Sequence, residues 1–313
     1  MRIALWIGLA ALTAWAIDAQ AAPTICDGIW HDDARGRDVP VRVRMPEGMR
    51  RVPVILFSHG LGGSVDAGTA WAEAWADAGF AVIHLQHPGS DLAMLRAEGR
   101  AGARGAATGQ QLVARGRDVS FVIDQLALRP AEGACDLRRI DRARIGMSGH
   151  SFGAQTTLAV AGQSFGSRGP ALRDPPIRAA IAFSPAPPVG AGAAEISRAF
   201  GSVSLPMLMI TGTQDASPLG RAVTPADRQK PFGALAPGNK FLLVFDGADH
   251  MAFGGFLRRQ ATANDLRITS LVRLATTAFW RATLNGDGAA AAALSEGNAV
   301  ERSLAPGDRI QRR

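Results

Sequence analysis

Apolar and polar residues alternate over residues 39–43, the period of a half-buried strand. Val52–Ser58 (VPVILFS) is instead a continuous apolar run that stops at the cluster Gly60, Gly62, Gly63. A strand of that kind is covered on both faces, as in a parallel sheet. Trp71 and Trp75 then stand at i, i+4, which predicts a helix over residues 70–78. Gly79 ends it, and residues 80–85 form the next apolar strand. Residues 91–109 are rich in Ala, Gly and Arg with weak periodicity, and read as a surface excursion. Helical spacing returns over residues 113–128 through Val119, Val122, Ile123 and Leu126. A short strand over residues 144–147 feeds Gly149, and helix character resumes over residues 153–160. Further apolar strands are expected at Ile177–Phe183, 206–211 and 239–245. Residues 265–284 read as a long amphipathic helix.

Strands alternating with helices predict an α/β architecture, a mainly parallel sheet flanked by helices. No internal repeat or linker divides the chain, so residues 22–313 read as a single domain. Residues 286–313, Ala- and Gly-rich and then charged, read as a loosely ordered tail or a short terminal helix. With 313 residues, 47% hydrophobic and 19% charged, the chain can bury a substantial core and is not disordered in character. The net charge of +7 is carried almost wholly by arginine, Lys230 and Lys240 being the lysines. The arginines form no dense block, which argues against a nucleic-acid partner.

The first residues have the form of a secretory signal. Arg2 is followed by an apolar or small-residue run over 3–17, then by Ala19-Gln20-Ala21, a small-x-small cleavage pattern. Residues 1–21 are therefore expected to be removed on export to the periplasm or medium. The run is shorter than the roughly 20 residues a spanning helix needs, and no other segment reads as transmembrane. Export bears on Cys26 and Cys135. In an oxidising compartment the two can pair, though a single pair leaves both the bonded and the free state open.

The chemistry concentrates in three places. Gly149-His150-Ser151-Phe152-Gly153 fits G-x-S-x-G, between an apolar strand and a helix-forming stretch. On such a turn the glycines relieve crowding and the serine hydroxyl stands clear beside a helix N-terminus. A serine hydroxyl needs a base, and the base an orienting acid. The order along the chain for this type of elbow is Ser, acid, His. His250 is the only histidine after Ser151. Asp215 follows the strand at 206–211, while Asp246 and Asp249 are so close to His250 in sequence that they would share its loop. Asp215 is the expected acid. All three positions lie just past the C-terminal ends of strands, which share one edge in a parallel sheet. Two backbone N–H groups are expected to receive a developing oxyanion. One is that of Phe152, next to the nucleophile, and the other that of Leu61, in Ser58-His59-Gly60-Leu61-Gly62-Gly63. His59 precedes Ser151 and is expected to brace that loop. His84, His87 and Asp91 lack further ligands at metal-binding spacing and read as part of a shaped loop, so no metal is expected.

These residues together resemble the platelet-activating-factor acetylhydrolase (isoform II-like) and predicted dienelactone hydrolase branch of the α/β-hydrolases. The matching pieces are Val39-Pro40-Val41-Arg42, Phe57-Ser58-His59-Gly60-Leu61-Gly62-Gly63, His87-Pro88-Gly89-Ser90-Asp91, Arg117-Asp118-Val119, Phe121-Val122-Ile123-Asp124-Gln125-Leu126, Gly149 to Gly153 and Asp249-His250-Met251. The resemblance implies the α/β-hydrolase fold. It also implies hydrolysis of a carboxylic ester, small-molecule or lipid, by Ser151, Asp215 and His250 through an acyl-enzyme, without cofactor. Dienelactone hydrolases proper carry a cysteine at the elbow, where this chain has serine. An acyltransferase using the same triad and a non-catalytic binding protein of the same fold are the rival readings. Residues 91–109 and 216–238 follow strands on the catalytic edge and are expected to frame the pocket.

Overall fold

The computed structural model describes residues 22–218, 223–256 and 260–313. The expected signal peptide, residues 1–21, lies outside the described residues. The strands are β1 (Thr24–Asp32), β2 (Arg37–Met45), β3 (Val52–Ser58), β4 (Ala81–Leu85), β5 (Ala131–Glu132), β6 (Cys135–Asp136), β7 (Ile140–His150), β8 (Ile177–Phe183), β9 (Met207–Gln214), β10 (Lys240–Asp249) and β11 (Arg309–Arg312). The helices are α1 (Thr69–Asp77), α2 (Leu92–Ala106), α3 (Gly109–Leu128), α4 (Phe152–Val160), α5 (Ala193–Phe200), α6 (Lys230–Ala234), α7 (Ala263–Leu284), α8 (Gly288–Ala293) and α9 (Ala299–Arg302).

Nine strands form one sheet in the order β1-β2-β4-β3-β7-β8-β9-β10-β11. The run β4-β3-β7-β8-β9-β10 is parallel throughout; β1, β2 and β11 pair antiparallel at its two sides. Alternate residues of the parallel strands go to opposite faces, as the two-residue period of a strand requires. Ile55, Phe57, Ile181, Phe183, Leu208 and Ile210 pack with the α1 and α7 side chains, among them Trp71, Trp75 and Trp280. Their neighbours Val54, Leu56 and Met147 meet the α3 face, and Ala180, Ala182 and Met209 meet α4 and α5. The Trp75 indole is buried and satisfied, its N–H donating to Thr276 Oγ1 at 2.9 Å. The continuous apolar runs are therefore the strands covered on both faces, as the sequence pattern requires.

Three elements depart from the sequence reading. Residues 91–109 are not an irregular excursion but carry α2, with the Asp91 carboxylate accepting from the Met94 N–H at its N-cap. The inward face holds Met94 and Ala103, and Gly99 breaks the helical dihedrals midway, so little periodicity is left to read. Of the two readings of 286–313, the loose tail fails and the short terminal helix holds only in part. The segment folds as α8, α9 and the edge strand β11, which pairs with β10 through Phe241↔Arg312 and Val244↔Arg309. Strand β1 gave no signal because Ile25 and Ile29 face outward while Cys26 and Trp30 face in.

Cys26 and Cys135 form a disulfide between β1 and β6. It spans 109 residues of sequence, a loop for which chain-entropy arguments give about 5 kcal/mol of stabilisation. No helix among the described residues is long and apolar enough to cross a membrane.

Candidate active site

The elbow after β7 is built by close packing. Ser151 has φ 58° and ψ −114°, in a region that non-glycine residues rarely adopt and that costs about 1–3 kcal/mol. Its N–H is held by the Phe183 carbonyl of the adjacent strand at 2.9 Å. A Cβ at Gly149 would lie 2.4 Å from the Gly153 carbonyl oxygen, and one at Gly153 would lie 1.9 Å from the Ser58 carbonyl oxygen. Only glycine fits either position, because the elbow and the loop after β3 touch backbone to backbone.

Ser151, Asp215 and His250 come from the ends of β7, β9 and β10 and meet at one edge of the sheet. His250 Nε2 is 2.9 Å from Ser151 Oγ, and His250 Nδ1 is 2.7 Å from Asp215 Oδ1. The ionised carboxylate can only accept, so Nδ1 carries the proton and the Nε2 lone pair faces the serine hydroxyl. Between Phe245 and Asp249 the pairing of β10 with β9 slips its register. Such a bulge bends a strand, here just before His250. The competing acids are engaged elsewhere. Asp246 accepts from Thr213 Oγ1 at 2.9 Å, and Asp249 accepts from the Met251 and Ala252 N–H groups.

Asp215 is fully buried. Burial opposes its charge, but the His250 hydrogen bond and the Arg228 guanidinium outweigh it and keep its pKa below the usual carboxylate value. Thr211 Oγ1 donates to its second oxygen at 2.7 Å. Arg228 Nε lies 2.7 Å from Asp215 Oδ1, and the same guanidinium donates to the Ser184 carbonyl. Arg228 was invisible in the sequence: it stands in a polar stretch with no motif around it. His150 stands inside the elbow motif, but as its variable position, so its residue type carried no signal of a role. Its Nε2–H donates to the His250 backbone carbonyl at 2.9 Å, and the two rings lie 4.7 Å apart.

The loop after β3 presents the Leu61 N–H, and α4 opens with the Phe152 N–H. Neither N–H has a protein acceptor among the described residues. The Phe152 amide also lies in the first turn of a helix, where the macrodipole favours negative charge. The loop is tied down by Gly62 N–H to the Ser90 carbonyl at 2.9 Å and by Leu92 N–H to the Gly63 carbonyl at 2.7 Å. His59 spends both ring nitrogens on it: Nδ1–H donates to the Gly60 carbonyl, and Nε2 accepts the His87 N–H. His87 in turn donates from Nδ1 to Asp118 and accepts at Nε2 from Ser58 Oγ. His84 Nδ1–H donates to the Ala67 carbonyl, and Asp91 caps α2. These residues are thus occupied in shaping the loop.

Four of the buried histidines make the fold sensitive to acid. Burial holds His84 and His150 down to about 3 and His87 to about 4, and pushes His59 well below 6.5. Unfolded histidine titrates near ~6.5. Between about pH 4 and 6.5 the unfolded chain binds protons that the native state excludes, so stability rises with pH across that window. It is complete above about pH 6.5 and falls by roughly 2 kcal/mol per histidine by pH 5. Chemical denaturation at pH 7 and pH 5 should show a loss of several kcal/mol, and equal stability at both would contradict the neutral, buried rings.

A mainly parallel sheet in this order, with hydroxyl, imidazole and carboxylate loops on its C-terminal edge, is the α/β-hydrolase fold. Among solved structures the chain is similar to a 2,6-dihydroxy-pseudo-oxynicotine hydrolase, with 16% identity, a TM-score of 0.56, and coverage of 83% of this chain and 68% of that one. At that identity the likeness is one of fold. No family model and no curated protein sequence matches the chain.

Proposed function

We propose that the protein is a serine-dependent carboxylic ester hydrolase of the branch its motifs resemble. One observation carries this reading: Asp215, His250 and Ser151 stand in sequence at 2.7 and 2.9 Å, spacings that suit general-base catalysis. Ser151 Oγ attacks the ester carbonyl as its proton passes to His250 Nε2. Asp215 stabilises the imidazolium. The Leu61 and Phe152 N–H groups receive the oxyanion. The imidazolium then protonates the leaving alcohol, and water, activated by the same imidazole, releases the acid. No cofactor is needed for these steps. That the solved structure of similar fold is a hydrolase agrees with this assignment.

A cleft of about 890 Å³ runs beside α4, lined by Gln155, one turn past Ser151, together with Leu112, Phe165, Pro187 and Pro188. Its size suits a drug-sized or acyl group, which supports a small-molecule or lipid ester as substrate. The Cys26–Cys135 disulfide supports export.

The test is covalent. A fluorophosphonate probe should label the wild-type protein and leave Ser151→Ala unlabelled. Equal labelling of both would remove Ser151 from the mechanism.

A further inference from the structure

Arg115 is fully buried, yet among the described residues it forms no ion pair with a carboxylate. Its donors go instead to the two pieces of chain that carry the proposed oxyanion amides and to Ser90, whose carbonyl holds the Gly62 N–H. Toward the loop after β3, Nη2 donates to the His59 carbonyl and to Ser58 Oγ at 3.1 Å, while Nη1 donates to Ser90 Oγ, in the loop after β4, at 3.0 Å. Toward α4, Nε donates to Thr156 Oγ1 at 3.0 Å, and the guanidinium lies 4.5 Å from the centroid of the Phe152 ring. Thr156 Oγ1 in turn donates a hydrogen bond to the Phe152 carbonyl at 3.1 Å. One rigid, planar group thus touches the residue two before Leu61, the residue before that, and the side chain of Phe152 itself.

Burying a cation without a carboxylate is costly, and a core that needed only packing would have no use for one. Burial lowers the Arg115 pKa to about 9, so it stays charged at neutral pH. Asp118, which could have neutralised it, is bound instead by Arg35, Arg37 and His87. A cation with no directly paired carboxylate therefore stands against the His59 carbonyl and the Phe152 ring, next to the two proposed oxyanion residues. Donors that are fixed before reaction stabilise an oxyanion without reorganising.

We propose that Arg115 is a positioning residue that sets the spacing of the Leu61 and Phe152 amides and biases the site toward an oxyanion; this rests on the ester-hydrolase reading above. Its action is on the transition state, not on substrate binding. Arg115→Met is expected to lower kcat on a short-chain nitrophenyl ester by about 10²-fold, the scale of losing one oxyanion donor, with KM within about threefold. The decisive readout compares two inhibitors. A trifluoromethyl ketone, which becomes a tetrahedral oxyanion on Ser151, should lose affinity in step with kcat/KM, while the unfluorinated ketone should bind as before. A merely structural role would weaken both alike. Added guanidinium should restore part of the kcat of Arg115→Ala.

Where the Arg115 variants do not fold, Thr156→Val removes the α4 acceptor and the bond it makes to the Phe152 carbonyl, and should show a smaller loss with the same separation of inhibitors. A folded variant with unchanged kcat, or with both ketones weakened equally, overturns the proposal. Fluorophosphonate labelling of the wild type keeps the two readings apart. Labelling at Ser151 with an inert Arg115 sinks only this inference, and no labelling sinks the hydrolase assignment.

Discussion

His250→Ala is expected to lower kcat/KM for a short-chain nitrophenyl ester by at least ~10³-fold. Among the described residues, the imidazole is the one group within hydrogen-bond reach of Ser151 Oγ that can take its proton. The neighbouring His150 cannot stand in for it: its Nε2–H is committed to the His250 carbonyl and burial holds it neutral down to about pH 3. A second substitution, Ser151→Ala, should then cost little more, because serine and histidine act as one unit. Steady-state kinetics of the two single variants and the double variant check this. Retained activity in His250→Ala would place the base elsewhere, and additive losses would mean that the two residues act independently.

Gly153→Ala is expected to be as damaging to the fold as the loss of His250 is to activity. The added Cβ would sit 1.9 Å from the Ser58 carbonyl oxygen and 2.9 Å from that of His59. These are backbone atoms, so no side chain can rotate away; either α4 or the loop after β3 must move. A destabilisation above about 4 kcal/mol is expected, a fall in Tm on the order of 10 °C. Any protein recovered should react slowly with a fluorophosphonate, because the displaced pieces carry Ser151, Phe152 and Leu61. Calorimetry and labelling kinetics give both values, and a wild-type Tm would show that the contact is not obligatory.

The two expectations rest on different levels of the sequence. The elbow glycines were readable as a motif, but the clash that requires them exists only because β3 and β7 are neighbours in the sheet, with Ser58 opposite Gly149. The parallel strands were equally readable: β3 and β8 have the bounds their apolar runs predicted, because a strand covered on both faces must be apolar throughout. Helix α2 and strand β11 were not, since one relies on alanines and a glycine and the other borrows its order from β10. The disulfide stood open in the sequence as a pairing of the only two cysteines. It is closed in the structure because β6 packs against the β1–β2 pair.

Residue type and chain order were enough to determine the architecture and to nominate Ser151, Asp215 and His250, since both follow from local constraints: apolar periodicity, a glycine-flanked turn, and a hydroxyl that needs a base. Tertiary structure alone decided which acid backs the imidazole and what supports it. Asp215, Arg228, His150 and Arg115 lie from 4 to 100 residues from the groups they contact. Hydrogen bonds across such separations leave no period in the sequence; they exist only once the strands are side by side.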